Sequence, residues 1–217
     1  MKAVLISIQP KWCELIASGK KTIEVRKTAP KFDKPFKVYI YETKDKKYDG
    51  IGVHWENGRD FIHNGGKVIG EFICDDLLAI ENLKSSFRVK EDREGEGRLT
   101  NMTATASCMW FSDMKAYLGD KDGWGWGISE LKIYDKPRLL SEFQKCGALT
   151  AKELDDEICN YCLNTSRGTK AGYGTPNGYV GCEGRWCEEA YQEYLDEEFA
   201  VTRPPQSWMY VEDGICP

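Results

Sequence analysis

The stretch LISIQPKWCELIASGKKTIEVRK, residues 5–27, decides the fold of this chain. It begins as a short apolar run that is typical of a β-strand. Pro10 then opens a helix that carries Trp12 and Ile16 at helical spacing, and Gly19 ends that helix. The letters KTIEVRK that follow alternate between polar and apolar residues and predict a second strand. The first part of the chain is therefore expected to form a strand, a short helix and a strand.

Most of the remaining pattern predicts strands, with short helices between them. Four stretches are typical of strands, namely KPFKVYIYETK, GGKVIGEFICDDLLAI, GWGWGISELKIYDKP and PPQSWMYVE. SDMKAYLGD is typical of a short helix, LLSEFQKCG of a short helix or turn, and residues 84–106 of a loop or weak structure. Several strands follow one another too closely for the crossovers that parallel pairing needs. The pattern therefore predicts an α+β fold with a small mixed or antiparallel sheet that curls towards a barrel.

The segment 146–199 interrupts this pattern. It contains a cysteine cluster, a glycine-rich loop and the acidic helix EEAYQEYLDEE at residues 188–198, and strand-like sequence resumes only after it. We predict a main β-barrel domain over residues 1–145 and 200–217, with an insertion over residues 146–199. The acidic helix is a candidate surface for a protein partner, because it has six acids and no base.

The charge of the chain is acidic overall but uneven. The net charge of the 217 residues is −5, yet residues 1–50 contain 12 Lys and Arg against 6 Asp and Glu. Such a basic part is compatible with polyanion binding and equally with ordinary solvated faces. No apolar run reaches the length of a membrane span, and the N-terminus lacks the features of a signal peptide. We expect a cytoplasmic protein without a membrane partner.

Four of the nine cysteines form a cluster with metal-ligand spacing. Cys159 and Cys162 form C-x2-C, Cys182 and Cys187 form C-x4-C, and 19 residues separate the pairs. Four thiolates around one ion are typical of structural Zn²⁺, and the letters TPNGY between the pairs predict the hairpin turn that would bring them together. Two disulfides or four free thiols are the alternatives, and the expected cytoplasmic compartment argues against disulfides. We predict a structural zinc ion in the insertion.

The ordered blocks of the chain together resemble one family. LISIQPKWCELIASGKKTIEVRK, VYIYETK, GKVIGEF, WGWGISELKIYDKPRLLSEF and PPQSWMYVE are similar to the ASCH domain family of the PUA-like superfamily, with P-K-x-x-x-x-I-x-x-G-K-K-T-x-E-x-R at residues 10–26 as the most specific run. The resemblance implies a small β-barrel with flanking helices and a cleft beside the G-K-K-T-x-E-x-R segment. It also implies a role in binding RNA or nucleotides.

Some small members of that family are amidohydrolases of acetylated cytidine, with the pattern G-x-K-T-x-T-x-R. Lys21 matches their catalytic lysine and Arg26 their arginine, but Glu24 stands where they have a catalytic threonine. A carboxylate does not replace a hydroxyl nucleophile that a lysine activates. The departure favours binding over hydrolysis, and an amidohydrolase with Lys21 and Glu24 as acid–base groups is the alternative.

The chemistry of the G-K-K-T-x-E-x-R segment suggests how a ligand would be bound. Lys21 and Arg26 are suited to phosphate or a base edge, and Glu24 to the exocyclic amine of a base such as cytosine. A structural ion-pair network is the alternative role of these three residues. Candidate ligand contacts also include one stacking tryptophan, foremost Trp12 or Trp126 with Trp124 and Trp208 as further options, and the polar pair Gln206 and Ser207.

Two further expectations concern side chains around this segment. Replacing Lys21 or Arg26 by alanine is expected to weaken the binding of RNA or of a modified nucleoside while the fold stays intact. His54 and His63 lie in a polar stretch without a carboxylate or cysteine at ligand spacing, so both are expected on the surface.

Overall fold

The structure is a computed structural model, and it describes residues 2–31, 33–55, 60–83, 87–90, 105–145 and 200–212. The helices are α1 Pro10–Ala17, α2 Phe111–Leu118 and a 3-10 helix, Leu140–Glu142. The strands are β1 Lys2–Ile8, β2 Ile23–Arg26, β3 Phe36–Glu42, β4 Gly52–His54, β5 Asp60–Ile62, β6 Val68–Cys74, β7 Leu77–Asn82, β8 Phe87–Lys90, β9 Gly123–Gly127, β10 Ser129–Arg138 and β11 Trp208–Glu212.

The first sheet has five strands in the order β10-β6-β3-β1-β11. β1 runs parallel to β3 and antiparallel to β11, so it lies inside the sheet and is flanked on both sides. Its continuous apolar run is the pattern of a strand that is buried on both faces. Val4 and Ile6 pack into the core beneath α1, whereas Ala3 and Leu5 pack into a second cluster on the opposite face. The strand predicted from AVLISI is therefore present, and it lies in the middle of the fold.

The second sheet has the order β2-β9-β7-β8, and the chain enters and leaves it at two corners. Only Asp75 and Asp76 separate β6 from β7, and only Ile128 separates β9 from β10. The backbone N–H of Gly127 donates to the carbonyl of Asp76 over 2.9 Å, which ties the two corners together. Stretches that the pattern predicted as single strands are thus two strands each, bent from one sheet into the other.

The predicted barrel is not closed among the described strands. β2 pairs only with β9, while β1 pairs with β3 and β11, so no described ladder joins β2 to β1 or β11. The two sheets meet at a seam that side chains bridge instead of backbone hydrogen bonds. The architecture is a mixed α+β fold, mostly sheet, with few helices.

Other expectations about local structure have mixed outcomes. The first helix is confirmed, with Pro10 in its first turn and Gly19 just beyond its end at φ +77°. The loop predicted for residues 84–106 is wrong in part, because residues 87–90 form β8 and residues 105–107 are helical. The hairpin of β4 and β5 has no counterpart among the predicted elements.

The expectation that both histidines lie on the surface is wrong for His63. Its side chain is buried, and Nδ1 lies 2.5 Å from Oε1 of Glu42, which is itself fully buried. The other Glu42 oxygen accepts the backbone N–H of Asn64 over 2.6 Å. A buried carboxylate needs such partners, and they come from a hairpin that the sequence pattern did not place beside β3. His54 is exposed, as expected, and pairs with Asp60.

The insertion predicted for residues 146–199 lies outside the described residues, and so do its four cysteines and its acidic helix. The chain on either side of it comes together, because Gln144 bridges to Ala200 and the backbone N–H of Val201 donates to the carbonyl of Phe143 over 2.8 Å. Within the described ranges, no group of three or more His, Cys, Asp and Glu residues is placed to hold a metal ion. No helix in the described part of the chain is long and apolar enough to cross a membrane.

Candidate ligand-binding cleft

A cleft of about 860 Å³ lies at the seam where the two sheets are not joined. The end of β1 and the start of α1 form one side, β2 forms the floor, and the face of α2 forms the opposite wall. Five residues predicted as ligand contacts line it, namely Trp12, Lys21, Glu24, Arg26 and Gln206. The expectation that the G-K-K-T-x-E-x-R segment lies beside a cleft therefore has its geometric basis at this seam.

Lys21 is held at the base of the cleft as a buried cation. Its side chain is 1% exposed, and Nζ donates to the carbonyl of Ser107 over 2.6 Å. Nζ also lies 3.3 Å from Oε2 of Glu24 and 5.0 Å from the centre of the Trp12 ring. A hydrogen bond, an ion pair and a cation–π contact all stabilise the charged ammonium. Lys21 therefore connects β2 to the segment that leads into α2.

Glu24 lies between two cations. Its Oε1 is 3.0 Å from Nη2 of Arg26, and its Oε2 faces Lys21. Residues 24 and 26 share one face of β2 because side chains alternate along a strand. All three side chains are at most 7% exposed, so each charge depends on the others to offset its loss of hydration. The cluster has two positive charges and one negative, which leaves the floor of the cleft positive.

Arg26 bridges the open seam. Its Nη2 donates to the carbonyl of Ser7 over 2.6 Å, and its Nη1 reaches Oγ of Ser207 over 3.5 Å. Nε is buried and has no hydrogen-bond partner among the described residues. One guanidinium thus joins β2 to β1 and to the residues before β11, where no ladder does so. The expectation that Lys21 or Arg26 can be replaced without a cost to the fold does not agree with this burial and pairing.

The remaining predicted contacts differ in their placement. Trp126 is fully buried, packs edge-on against Phe36 with ring centres 5.9 Å apart, and does not face the cleft. Ser207 touches Arg26 but does not line the cleft itself. Trp12 is half-buried and lines the cleft, and the Lys11 and Lys21 ammonium groups lie 4.5 Å and 5.0 Å from the centre of its ring. Of the candidate tryptophans in the predicted set, Trp12 is the one that the fold brings to the cleft.

Sequence reasoning missed the wall formed by α2. Asp113, Ala116 and Tyr117 line the cleft, together with Met109 just before the helix. Asp113, Ala116 and Tyr117 have i, i+3, i+4 spacing, so the sequence alone predicts that they share one face of the helix. Which structure that face meets depends on the path of the chain through both sheets. Gln9, Lys44 and Ser7 were missed for the same reason.

The thiol of Cys13 lies behind this site and is not suited to act as a nucleophile. Burial raises its pKa well above the usual value, and the carboxylates of Glu42 and Glu24 raise it further. Sγ lies 3.6 Å from the carbonyl of Ile8, to which it donates. A thiol with a raised pKa stays protonated at neutral pH and lacks the reactive thiolate.

The fold and the site together define the class of protein. It is a mixed α+β protein, mostly sheet, with a charged cleft at an open seam between two sheets. A model of the ASCH domain matches residues 6–115, about half of the chain, and includes the end of β1, α1, β2 and most of the cleft. This chain belongs to the ASCH domain family. The family is PUA-like and is generally associated with RNA binding.

Solved structures of one ASCH protein from Zymomonas mobilis are similar to this chain. The crystal structure has 14% identity and a TM-score of 0.47, covering 97% of this chain and 88% of the other. A serine-to-alanine mutant gives 13% identity, a TM-score of 0.47 and coverage of 97% and 89%. A tyrosine-to-phenylalanine mutant gives 13% identity and a TM-score of 0.43, covering 92% of this chain and 100% of the other. A comparison with curated proteins finds no match. Family membership rests on the domain match.

Proposed function

We propose that this protein binds RNA through the cleft and holds one base against Trp12 and the ion cluster. The observation that carries this proposal is the carboxylate of Glu24, which Lys21 and Arg26 hold in the floor of a cleft of about 860 Å³. Contacts with two cations fix the direction of this carboxylate. An ionised carboxylate accepts hydrogen bonds only, so it selects a donor such as the exocyclic amine of cytosine or adenine.

Trp12 supplies the second element of recognition. Its ring is half-buried, which fixes its orientation, and it still lines the cleft. A base that stacks on such a ring gains about 1–3 kcal/mol, and a hydrogen bond to a charged group adds about 1.5–3 kcal/mol. The exposed Lys44 on the rim is suited to a phosphate of the same nucleotide. Base edge, base face and phosphate would each have a partner of matching chemistry.

Replacing Trp12 by leucine is expected to weaken the binding of a short single-stranded RNA by roughly 5- to 150-fold, the equivalent of losing one stacked base. Trp12→Phe retains an aromatic face and is expected to keep most of the affinity. Fluorescence anisotropy with a labelled oligonucleotide measures the effect, and thermal melting checks that each variant is folded.

Trp55→Leu is the matched control for this experiment. Trp55 is also half-buried and stacks on Phe61 with ring centres 6.2 Å apart, but it does not line the cleft. If Trp12→Leu and Trp55→Leu leave the RNA affinity equally unchanged, the proposal that a base stacks in this cleft is wrong.

The amidohydrolase alternative has less support from the geometry. The Lys21 ammonium is already engaged by Ser107, Glu24 and the Trp12 ring, and Glu24 by Lys21 and Arg26, so neither side chain is free to act on a substrate without first giving up these contacts. Release of cytidine from acetylcytidine by the purified protein, and its loss in Lys21→Met, would decide for this alternative.

We also propose a structural zinc ion bound by Cys159, Cys162, Cys182 and Cys187. One support is the spacing of the two cysteine pairs. The other is the bridge between Gln144 and Ala200, which brings together the two points of the main domain that residues 146–199 connect. Protein purified without added metal is expected to contain about one zinc per chain. Elemental analysis measures this content, and a chelator is expected to lower the melting temperature.

Cys159→Ser is expected to lose the zinc, whereas Cys108→Ser, which changes a free thiol elsewhere in the chain, is expected to retain it. Clearly substoichiometric zinc in the unaltered protein, together with an unchanged melting temperature in chelator, would contradict the metal site.

A further inference from the structure

We propose that Trp110 is a second stacking site that binds the nucleotide next to the one in the cleft, so that the protein prefers a strand of RNA to a free nucleoside. The inference rests on the proposed function, because it needs one base to be held at Trp12. Trp110 is 70% exposed, the highest value among the exposed large hydrophobic side chains of the described residues. The neighbouring Phe111 is 44% exposed and leans on Phe87 with ring centres 5.6 Å apart, so the free ring at this corner is that of Trp110.

Trp110 lies at the lip of the cleft. Met109 directly before it and Asp113 three residues after it both line the cleft. Trp110 is the N-cap residue of α2, and Asp113, Ala116 and Tyr117 of that helix line the cleft. A strand that leaves the cleft along α2 would therefore meet this ring first.

The segment that carries Trp110 is rigidly joined to the floor of the cleft. The backbone N–H of Trp110 donates to the Asp113 carboxylate over 3.1 Å, and its carbonyl accepts the N–H groups of Asp113 and Met114, each over 3.0 Å. The N–H of Met109 donates to Oγ of Ser107 over 3.3 Å, and the carbonyl of Ser107 holds Lys21. An aromatic ring on a backbone that is already ordered binds at a lower entropic cost.

Positive charge around the cleft identifies the class of partner. Exposed lysines approach it from several sides. Lys11 lies over Trp12, Lys27 lies 5.3 Å from the centre of the Tyr117 ring, and Lys44 lines the rim. Lys20 is exposed, and its carbonyl accepts from Cys108 two residues before Trp110. Proteins that bind single-stranded nucleic acids use exposed aromatic rings among basic side chains, which stack on the bases and contact the phosphates. An apolar protein surface would gain nothing from these positive side chains.

The test compares two probes on the same variants: a single-stranded RNA of about six nucleotides and cytidine monophosphate. Trp110→Ala is expected to lower the affinity for the oligonucleotide roughly 5- to 150-fold and to leave the affinity for the mononucleotide within about twofold. Trp110→Phe is expected to keep most of the oligonucleotide affinity. Leu139→Ala, which truncates another exposed apolar side chain that does not line the cleft, is expected to change neither affinity.

The outcomes separate this inference from the proposed function. If Trp110→Ala leaves both affinities unchanged while Trp12→Leu lowers them, the second site is wrong and the cleft remains. If Trp110→Ala lowers both affinities equally, the ring belongs to the first base and the second site is also wrong. If Trp110→Ala abolishes self-association in sedimentation without changing RNA affinity, a second copy of the chain is the occupant and the inference is overturned. If Trp12→Leu has no effect on either probe, the proposed function fails first.

Discussion

Replacing Glu24 by glutamine is expected to destabilise the protein by about 3–5 kcal/mol, the cost of breaking a buried ion pair by removing one partner. Glutamine keeps the shape of the side chain but removes the one carboxylate among the described residues that lies within 3.3 Å of both Lys21 and Arg26. Two cations would then remain buried without their counter-charge, next to each other. Urea unfolding followed by tryptophan fluorescence measures the change in the free energy of unfolding.

The control for Glu24→Gln is Asp60→Asn, which breaks an exposed ion pair with His54 and is expected to have a much smaller effect. Adding Lys21→Met to Glu24→Gln removes one of the two uncompensated cations. The double variant is therefore expected to be more stable than the sum of the two single changes predicts. If Glu24→Gln proves no more destabilising than Asp60→Asn, the cluster is better solvated than its burial indicates, and its role as a pinned recognition site is weakened.

The second large effect is expected at His63, which does not line the cleft itself. Replacing His63 by phenylalanine is expected to destabilise the protein by about 3 kcal/mol, because it removes the partner of a fully buried carboxylate. Phenylalanine can retain the edge-to-face packing of the ring on Tyr48 and Phe61, each with ring centres 5.0 Å apart. The loss therefore reports on the polar contacts of the ring, which are Glu42 at 2.5 Å and Glu14 at 3.6 Å. Denaturant unfolding measures it.

His54→Phe is the matched control, since His54 is a histidine of the same hairpin whose side chain is 75% exposed. It is expected to change the free energy of unfolding little, as surface substitutions usually do. Equal effects of His63→Phe and His54→Phe would show that Glu42 does not need His63, and that Asn64 and local water suffice to satisfy the carboxylate.

Local signals in the sequence predicted the parts of the cleft that are close together along the chain. Pro10 and Gly19 delimit α1, and the alternation after it places residues 24 and 26 on one face of β2. These features depend on backbone preferences and side-chain periodicity, which act over a few residues. Lys21, Glu24 and Arg26 therefore meet in the structure as their spacing suggested.

The parts that the sequence did not predict depend on contacts between distant segments. Trp124 and Trp126 share the same alternating pattern between glycines, and nothing local shows that Trp126 packs on Phe36 in the core. The carbonyl that holds Lys21 belongs to Ser107, 86 residues further along the chain. The burial of His63 depends on Glu42, 21 residues before it, through the hairpin that folds back on β3.

By itself, the sequence determined the first strand, helix and strand of this protein and the charged trio at the end of that unit. Secondary-structure propensity, helix capping and the alternation of polar and apolar residues depend only on residues close together in the chain, so the sequence shows them directly. Only the tertiary structure decided that the two sheets leave an open seam, that Arg26 bridges it, and that one face of α2 lines the cleft. A side chain's exposure, its charge partners and its access to a ligand are set by packing between segments far apart in the chain, and that packing is decided when the sheets assemble.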